Sequence, residues 1–300
     1  MTFVIGVDGG GTRTRAVLLA ADGRELARAE GPGAVVTSDT SEVAARAVST
    51  AVQAAAREAG VSLPAAALWA GLAGAGREPA SGRVEAALAS AGLADRVHVA
   101  TDAEAAFHDA FDEGAGVLLI AGTGSIALGR GGAGRWVRAG GWGQRVGDEG
   151  SGYAIGEAAL RAVMRAHDGR GPTTILSESV IASCAVASPE DIVGWIERAS
   201  KGEVAALVPS VAHAAAAGDA AACAILGHAV SELAGHVAAI LRRAERWPDP
   251  VPLALWGGLL GAGGPLRAAT LKALAAHPMD VRDIDLDPPA GAARMALALR

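Results

Sequence analysis

The alternation of apolar and polar positions changes period several times along this chain. Residues 4–8 form an almost unbroken apolar run, and a second run covers 15–19, with a glycine turn between them. The stretch "AADGRELARAE" adds an Asp-Gly turn and a third extended segment, so the first thirty or so residues read as a β-meander. From Ser41 to Ala59 the pattern becomes helical: Val43, Ala47, Ala51, Val52 and Ala55 recur at helical spacing, and Gly60 is a natural stop. "AALWAGLAG" predicts a buried strand, "REPASGRVEAALASAG" a helix closed by Gly92, and "RVHVATD" another strand. The predicted order is β-β-β-α-β-α-β.

The same theme returns after Ala115. "GVLLIAGTGSIALGR" reads as strand, glycine turn and strand, and "RWVRAGGW" supplies a third strand. An apolar run enters a Gly/Thr turn and leaves as a second apolar strand in both places, which predicts two related α/β halves rather than a short-period solenoid. The second half is richer in helix. Ser151 is a candidate N-cap for a helix ending at Gly169, and Ser188 caps another with Pro189 at its first position. Periodicity over 202–246 predicts two long helices broken near 217–219. "VPLALWGGLLGAGGPLRAATLKAL" returns to strand, glycine turn and helix, followed by a short strand near Val281 and a final helix from Pro289. No low-complexity linker separates the halves, so they are expected to meet across a cleft.

Composition narrows the picture. The chain has 300 residues, 51% of them hydrophobic but only 3% aromatic, so its cores must be built from small aliphatic side chains. A net charge of −6 without a basic block argues against nucleic acid, whose phosphate backbone demands clustered Lys and Arg. Cys184 and Cys223 sit in no metal-ligand or disulfide spacing. The N-terminus lacks a signal-peptide pattern, and the longest uncharged run, 59–76, is interrupted by Pro64 and glycines. These features predict a soluble, cytoplasmic protein with no membrane partner.

Candidate chemistry concentrates in glycine-rich turns that follow apolar strands: "DGGGTRT", "AGTGS" and "WGGLLGAGG". Glycine permits positive φ and lets a phosphate approach backbone N–H groups. Neither the Walker pattern nor a Rossmann fingerprint is present. Asp8, beside Gly9 to Gly11, either orders its turn or serves a metal–nucleotide, since a bare carboxylate would repel phosphate. Thr12 and Thr123 either donate hydroxyls to phosphate or cap their turns. Asp102 has two readings as well: a favourable first-turn acid after the Thr101/Glu104 capping box, or a general base at a strand end. "GGWGQRVGDEGSG", residues 140–152, is a poor regular element and a good binding loop; its Asp148 and Glu149 either suit polyol hydroxyls or form an acidic approach to the helix that starts at Ser151. Trp142 is the tryptophan best placed to meet a ligand. The seven histidines are scattered and show no ligand spacing.

Taken in order, "IGVDGGGTRTRAVLL", "GLAGAGR", "TDAEAA", "LIAGTGSIALGR", "GGWGQRVGDEGSGYAIG" and "WGGLLGAGG" resemble the motifs of the N-acetylglucosamine kinase and BadF/BadG/BcrA/BcrD ATPase family within the actin-like ATPase/sugar kinase superfamily. The resemblance implies an α/β protein of two ribonuclease-H-like domains around a central cleft. They would span residues 1–113 and 114–300, the second with a helical insertion and a last helix free to pack back on the first. It further implies an ATP-dependent amino-sugar kinase, acting on the 6-hydroxyl of N-acetylglucosamine or glucosamine, with ATP and Mg2+ as cofactors and a homodimer as the common assembly. By matching position, Gly9, Gly10, Gly11 and Thr12 form the first phosphate loop, Gly122, Thr123, Gly124 and Ser125 the second, and Gly257 with Gly258 the adenosine-side turn. Asp102 becomes the catalytic base and Asp8 the Mg2+-associated carboxylate. Gly74 within 71–76, Thr123, Gly141, Trp142 and Asp148 border the sugar. The chain departs from the kinases where they carry a sugar-contacting Asn after the third strand: Val35 or Val36 stands there, with Thr37 and Ser38 the nearest polar residues. The family's other branch, activators of 2-hydroxyacyl-CoA dehydratases, shares an iron–sulfur cluster between subunits through two cysteines each. The contexts "IASCAVA" and "AACAILG" lack that branch's glycine-rich setting.

Overall fold

A computed structural model describes residues 2–300. It separates into two compact units, one made of the residues up to Gly114 together with Ile284–Arg300 and the other of Ala115–Asp283.

In the first unit β1 (Phe3–Gly9), β2 (Arg13–Ala20) and β3 (Glu25–Pro32) form the meander. They are followed by α1 (Ser41–Ala59), β4 (Ala65–Leu72), α2 (Ala80–Ser90), β5 (Ala94–Thr101) and α3 (Asp102–Phe111). The sheet order is β3-β2-β1-β4-β5. β1 is antiparallel to β2 and parallel to β4, and β4 is parallel to β5. Alternation along β1 sends Phe3, Ile5 and Val7 to one core, which includes Val48 and Val52 of α1 and Val84 and Leu88 of α2. Val4 faces the other side, where Ala105 of α3 and Ala292, Ala293 and Ala296 of the C-terminal helix Pro288–Ala298 are buried. Alanines allow that helix to lie close to the sheet, and the close approach requires glycine at position 6, where a Cβ would stand 2.1 Å from the Ala293 nitrogen. The approach to this helix is fixed by Asp109, which accepts the Asp287 N–H at 2.6 Å and pairs with Arg294.

The second unit repeats the design. It contains β6 (Gly116–Ala121), β7 (Ser125–Arg130), β8 (Trp136–Gly140), α4 (Gly152–His167), α5 (Leu176–Cys184), a 3-10 turn (Pro189–Asp191), α6 (Ile192–Arg198), α7 (Lys201–Ala205), α8 (Val208–Ala216), α9 (Ala220–Arg243), β9 (Val251–Trp256), α10 (Arg267–Ala273) and β10 (Met279–Arg282). Its sheet order is β10-β9-β6-β7-β8, with β6 antiparallel to β7 and parallel to β9. Each unit is thus a three-strand meander extended by two parallel strands. The C-terminal helix, following β10, is α11.

Local expectations hold at many points. Gly60 caps α1 in the left-handed conformation, and Ser151 caps α4 by accepting the Ala154 N–H at 3.2 Å. Two details differ. Residues 176–184 form α5, an element the apolar periodicity did not announce. The first of the two helices expected over 202–246 is two, α7 and α8, with Pro209 in the first turn of α8, a position where its missing N–H costs nothing. The second, α9, is long and apolar enough by length and composition to cross a membrane. Its Ala222, Ala229, Leu233, Val237 and Ile240 are buried in the core of the second unit.

Candidate active site

The parallel arrangement of β1, β4 and β5 brings their C-terminal ends to one edge of the first sheet. Asp8 pairs in register with Arg15 of β2 and with Gly71 of β4, and Gly71 in turn with Ala100 of β5. Asp102, the residue after β5, opens α3. The Thr101 side chain accepts the Glu104 N–H at 3.2 Å and its hydroxyl reaches the Glu104 carboxylate at 3.1 Å, while Asp102 Oδ1 accepts the Ala103 N–H at 2.9 Å. The capping geometry is therefore real, and it leaves Asp102 at the helix start rather than consuming it.

The electrostatics of this edge are unusual for two aspartates. Burial pushes the Asp102 carboxyl up to about 6, the negative charge of Asp8 adds to the rise, and the Ala103 N–H opposes it. Burial also raises Asp8, against the pull of Arg15, whose guanidinium meets Asp8 Oδ2 at 2.8 Å. Arg15 Nε is buried without a hydrogen-bond partner. Sequence reasoning overlooked Arg15, although the hairpin register alone places a cation opposite Asp8.

The turn after β1 is tied on both sides: the Gly10 N–H donates to the Arg13 carbonyl and the Ala34 N–H to the Gly10 carbonyl, each at 3.0 Å. Gly9, Gly10 and Gly11 do not adopt positive φ; space, not left-handed backbone, is what they supply. A Cβ on Gly9 would lie 2.6 Å from Leu72 Cδ2, whereas on Gly10 and Gly11 it would make only ordinary contacts, 3.9 Å from the Arg13 carbonyl oxygen and 3.8 Å from Val35 Cγ2, and Thr12 is exposed. Gly74 has φ +85° and would place a Cβ 2.2 Å from the Val36 carbonyl oxygen. The Val36 N–H donates to Ala73 at 2.8 Å. Val36 is thereby buried and Val35 turned outward.

In the second unit the "GTGS" turn joins β6 to β7 and rests on the start of α4. Gly122 accepts the Gly152 N–H at 2.8 Å, Thr123 accepts the Tyr153 N–H at 3.3 Å, and the Ser125 hydroxyl donates to the Glu149 carbonyl at 2.7 Å. Thr123 is exposed at the tip. Gly122 and Gly124, like the first loop, do without positive φ. Gly257 is different. At φ +95° its Cβ position lies 2.4 Å from the Ala121 carbonyl, and Leu259 N–H donates to that same carbonyl at 3.0 Å. The 257–258 turn is thus braced directly on the strand that enters the "GTGS" turn.

The 140–152 loop is a run of left-handed backbone: Gly140, Gly141, Gly143 and Gly150 all have positive φ, and so does Asp148 at +60°. Asp148 is buried. Its Oδ2 takes a 2.5 Å hydrogen bond from Lys201 Nζ, and its Oδ1 accepts the Gly143 N–H at 3.3 Å. Trp142 is 54% exposed, with the Arg138 guanidinium 4.0 Å from its ring centroid and bonded to the carbonyls of Gly140 and Gly141. Beneath the loop, His236 lies 3.8 Å from Glu149, and burial lowers the imidazole's proton affinity. Lys201 was also missed. One signal existed: Lys201 and Lys272 are the only lysines in a sequence that otherwise uses arginine.

Among the described residues no three His, Cys, Asp or Glu side chains gather as a metal cage.

The chain is similar to several known proteins along most of its length. The chain is 34% identical to the N-acetylmuramic acid/N-acetylglucosamine kinase of Clostridium acetobutylicum over 87% of its own length and 86% of that protein's. It is 30% identical to the glucosamine kinase of Vibrio cholerae over 73% of this chain and 74% of that protein. A crystal structure from Chromobacterium violaceum, provisionally designated an N-acetylglucosamine kinase, superposes with a TM-score of 0.81 at 30% identity, covering 99% of both chains. Matching over residues 5–292, the chain belongs to the BadF/BadG/BcrA/BcrD ATPase family.

Proposed function

We propose that this protein is an ATP-dependent amino-sugar kinase that transfers the γ-phosphoryl group to the 6-hydroxyl of N-acetylglucosamine or glucosamine. The observation that carries the reading is Asp102: a carboxyl at a strand end, brought to about 6 by burial and by Asp8. Such a group is ionised at neutral pH yet basic enough to take a proton, the balance a general base requires. In this reading Asp102 accepts the proton of the sugar hydroxyl as the oxygen attacks the γ-phosphorus. Phosphoryl transfer asks chiefly for positioning and charge stabilisation. The 9–12 and 122–125 turns offer backbone N–H groups to the phosphates, and 257–258 borders the adenosine. Asp8 would hold Mg2+, which when bound neutralises charge on the phosphates. Gly74, Thr123, Gly141, Trp142 and Asp148 border the sugar. A cytoplasmic location and a homodimer complete the proposal.

A dehydratase-activator role has less support, because its shared iron–sulfur cluster needs thiols at a subunit surface. Cys184 is buried, with its thiol pushed up by burial, while Cys223 is exposed. The test is sugar-dependent ADP release with glucosamine, N-acetylglucosamine, glucose and N-acetylmannosamine, alongside thermal shift. A sugar at about 100 times its Kd should stabilise the fold by roughly 2.7 kcal/mol. ATP hydrolysis that no sugar stimulates would favour the activator role and defeat the kinase reading.

A further inference from the structure

The 140–152 loop looks acidic in sequence and is not acidic in space. Asp148, its most buried acid, is partnered on both oxygens, with Lys201 Nζ 2.5 Å from Oδ2 and the Gly143 N–H 3.3 Å from Oδ1, and each oxygen keeps a further lone pair. The pair is locked in place by the neighbouring turn, since a Cβ on Gly124 would come within 3.0 Å of Lys201 Nζ and 3.2 Å of Asp148 Oδ2. Asp148 is further pinned in left-handed backbone at φ +60°, a conformation costly for a non-glycine residue and retained only where the surroundings enforce it. In the same loop the Arg138 guanidinium is stacked on Trp142, and the other carboxylate, Glu149, lies 3.8 Å from His236. Lys201 reaches the loop from 53 residues away, out of the helical segment that follows α6.

We propose that Lys201 is a specificity-determining residue: by neutralising Asp148 it makes the sugar loop favour uncharged sugars, N-acylated amino sugars included, over sugars that carry a free ammonium. The inference rests on the proposed sugar-kinase reading and on the placement of the sugar at this loop. Its physics is simple. A carboxylate with a fixed cation at hydrogen-bond distance still accepts sugar hydroxyls through its free lone pairs, but presents almost no net field to an ammonium a few ångströms beyond. An unpaired carboxylate would attract that ammonium. The shielding by Lys201 therefore subtracts from glucosamine binding and leaves neutral sugars nearly untouched.

The test compares kcat/KM for glucosamine, N-acetylglucosamine and glucose in the wild type and in Lys201→Met, Lys201→Arg and Asp148→Asn. The wild type should prefer N-acetylglucosamine to glucosamine. Lys201→Met should raise the glucosamine to N-acetylglucosamine ratio about three- to tenfold, as expected for one charge at intermediate dielectric, while the glucose to N-acetylglucosamine ratio stays within twofold. Lys201→Arg should keep the wild-type ratio. Asp148→Asn leaves the cation without its partner and should move the ratio the opposite way, which keeps the proposal testable if Lys201→Met folds poorly. A wild type that prefers glucosamine overturns the inference. So does a ratio that fails to rise in Lys201→Met or, where that variant cannot be purified, fails to fall in Asp148→Asn. A wild type that phosphorylates no sugar refutes the kinase reading instead, a distinguishable failure.

Discussion

Replacing Asp102 with Asn should make the protein nearly inactive and, at neutral pH, more stable. In the folded state the carboxyl sits at about 6, against an ordinary value of 3.8, so between those values the native protein binds a proton that the unfolded chain has released. A raised carboxyl contributes stability that is fully present below the unfolded value and is lost as pH rises through the folded one. At 1.36 kcal/mol per pH unit, the ionised wild type is therefore penalised by at most about 3 kcal/mol above pH 6, by roughly half that at pH 5, and not at all below about pH 4. Asn removes the ionisation, keeps the shape, and can still accept the Ala103 N–H. Urea unfolding of both proteins at pH 7.5 and pH 5 reads the effect directly: the variant's advantage should shrink by about half at the lower pH. Turnover should meanwhile fall by roughly 10²–10⁴. In the wild type kcat/KM should decline below about pH 6 as Asp102 takes up its proton. An equal advantage at both pH values would remove proton binding from the explanation, and full turnover in the variant would remove Asp102 from the chemistry.

Two other substitutions probe the frame around the site. Gly257→Ala meets both a φ of +95° and a backbone oxygen 2.4 Å from the new Cβ, so it should displace the turn from Ala121, cost about 1–3 kcal/mol, and raise KM for ATP more than KM for sugar in steady-state assays. Arg15→Met strips the partner from the partly buried Asp8; chemical denaturation should show a loss of about 2–4 kcal/mol, since an unpaired buried charge costs more than the pair returned, and Asp8→Asn in the same background should restore part of it.

Much of this organisation is legible along the chain, and the reason is locality. The meander, the cap at Ser151, the stop at Gly60 and the glycine turns each depend on residues within a few positions of one another, where period and turn chemistry act. What escaped is non-local or weakly patterned. α5 carries Ser177, Glu178, Ser179 and Ser183 among its apolar residues, too little contrast for the helical period to stand out. The partnership of Asp148 with Lys201 spans 53 residues and depends on where the helices after α4 deliver a side chain. Sequence reading also assigned the glycines of the two phosphate turns positive φ and room for a phosphate; positive φ is absent there. Gly9 and Gly124 instead make room for Leu72, Ala34, Lys201 and Asp148, a requirement visible only once those neighbours are folded into place.

The most direct measurement of the central claim is phosphorus-31 NMR of ATP with N-acetylglucosamine or glucosamine in the presence of the protein and magnesium. The account predicts a sugar 6-phosphate resonance growing in step with ADP, and no such growth with Asp102→Asn. ATP converted only to ADP and inorganic phosphate, with no sugar phosphate formed from either sugar, would contradict it.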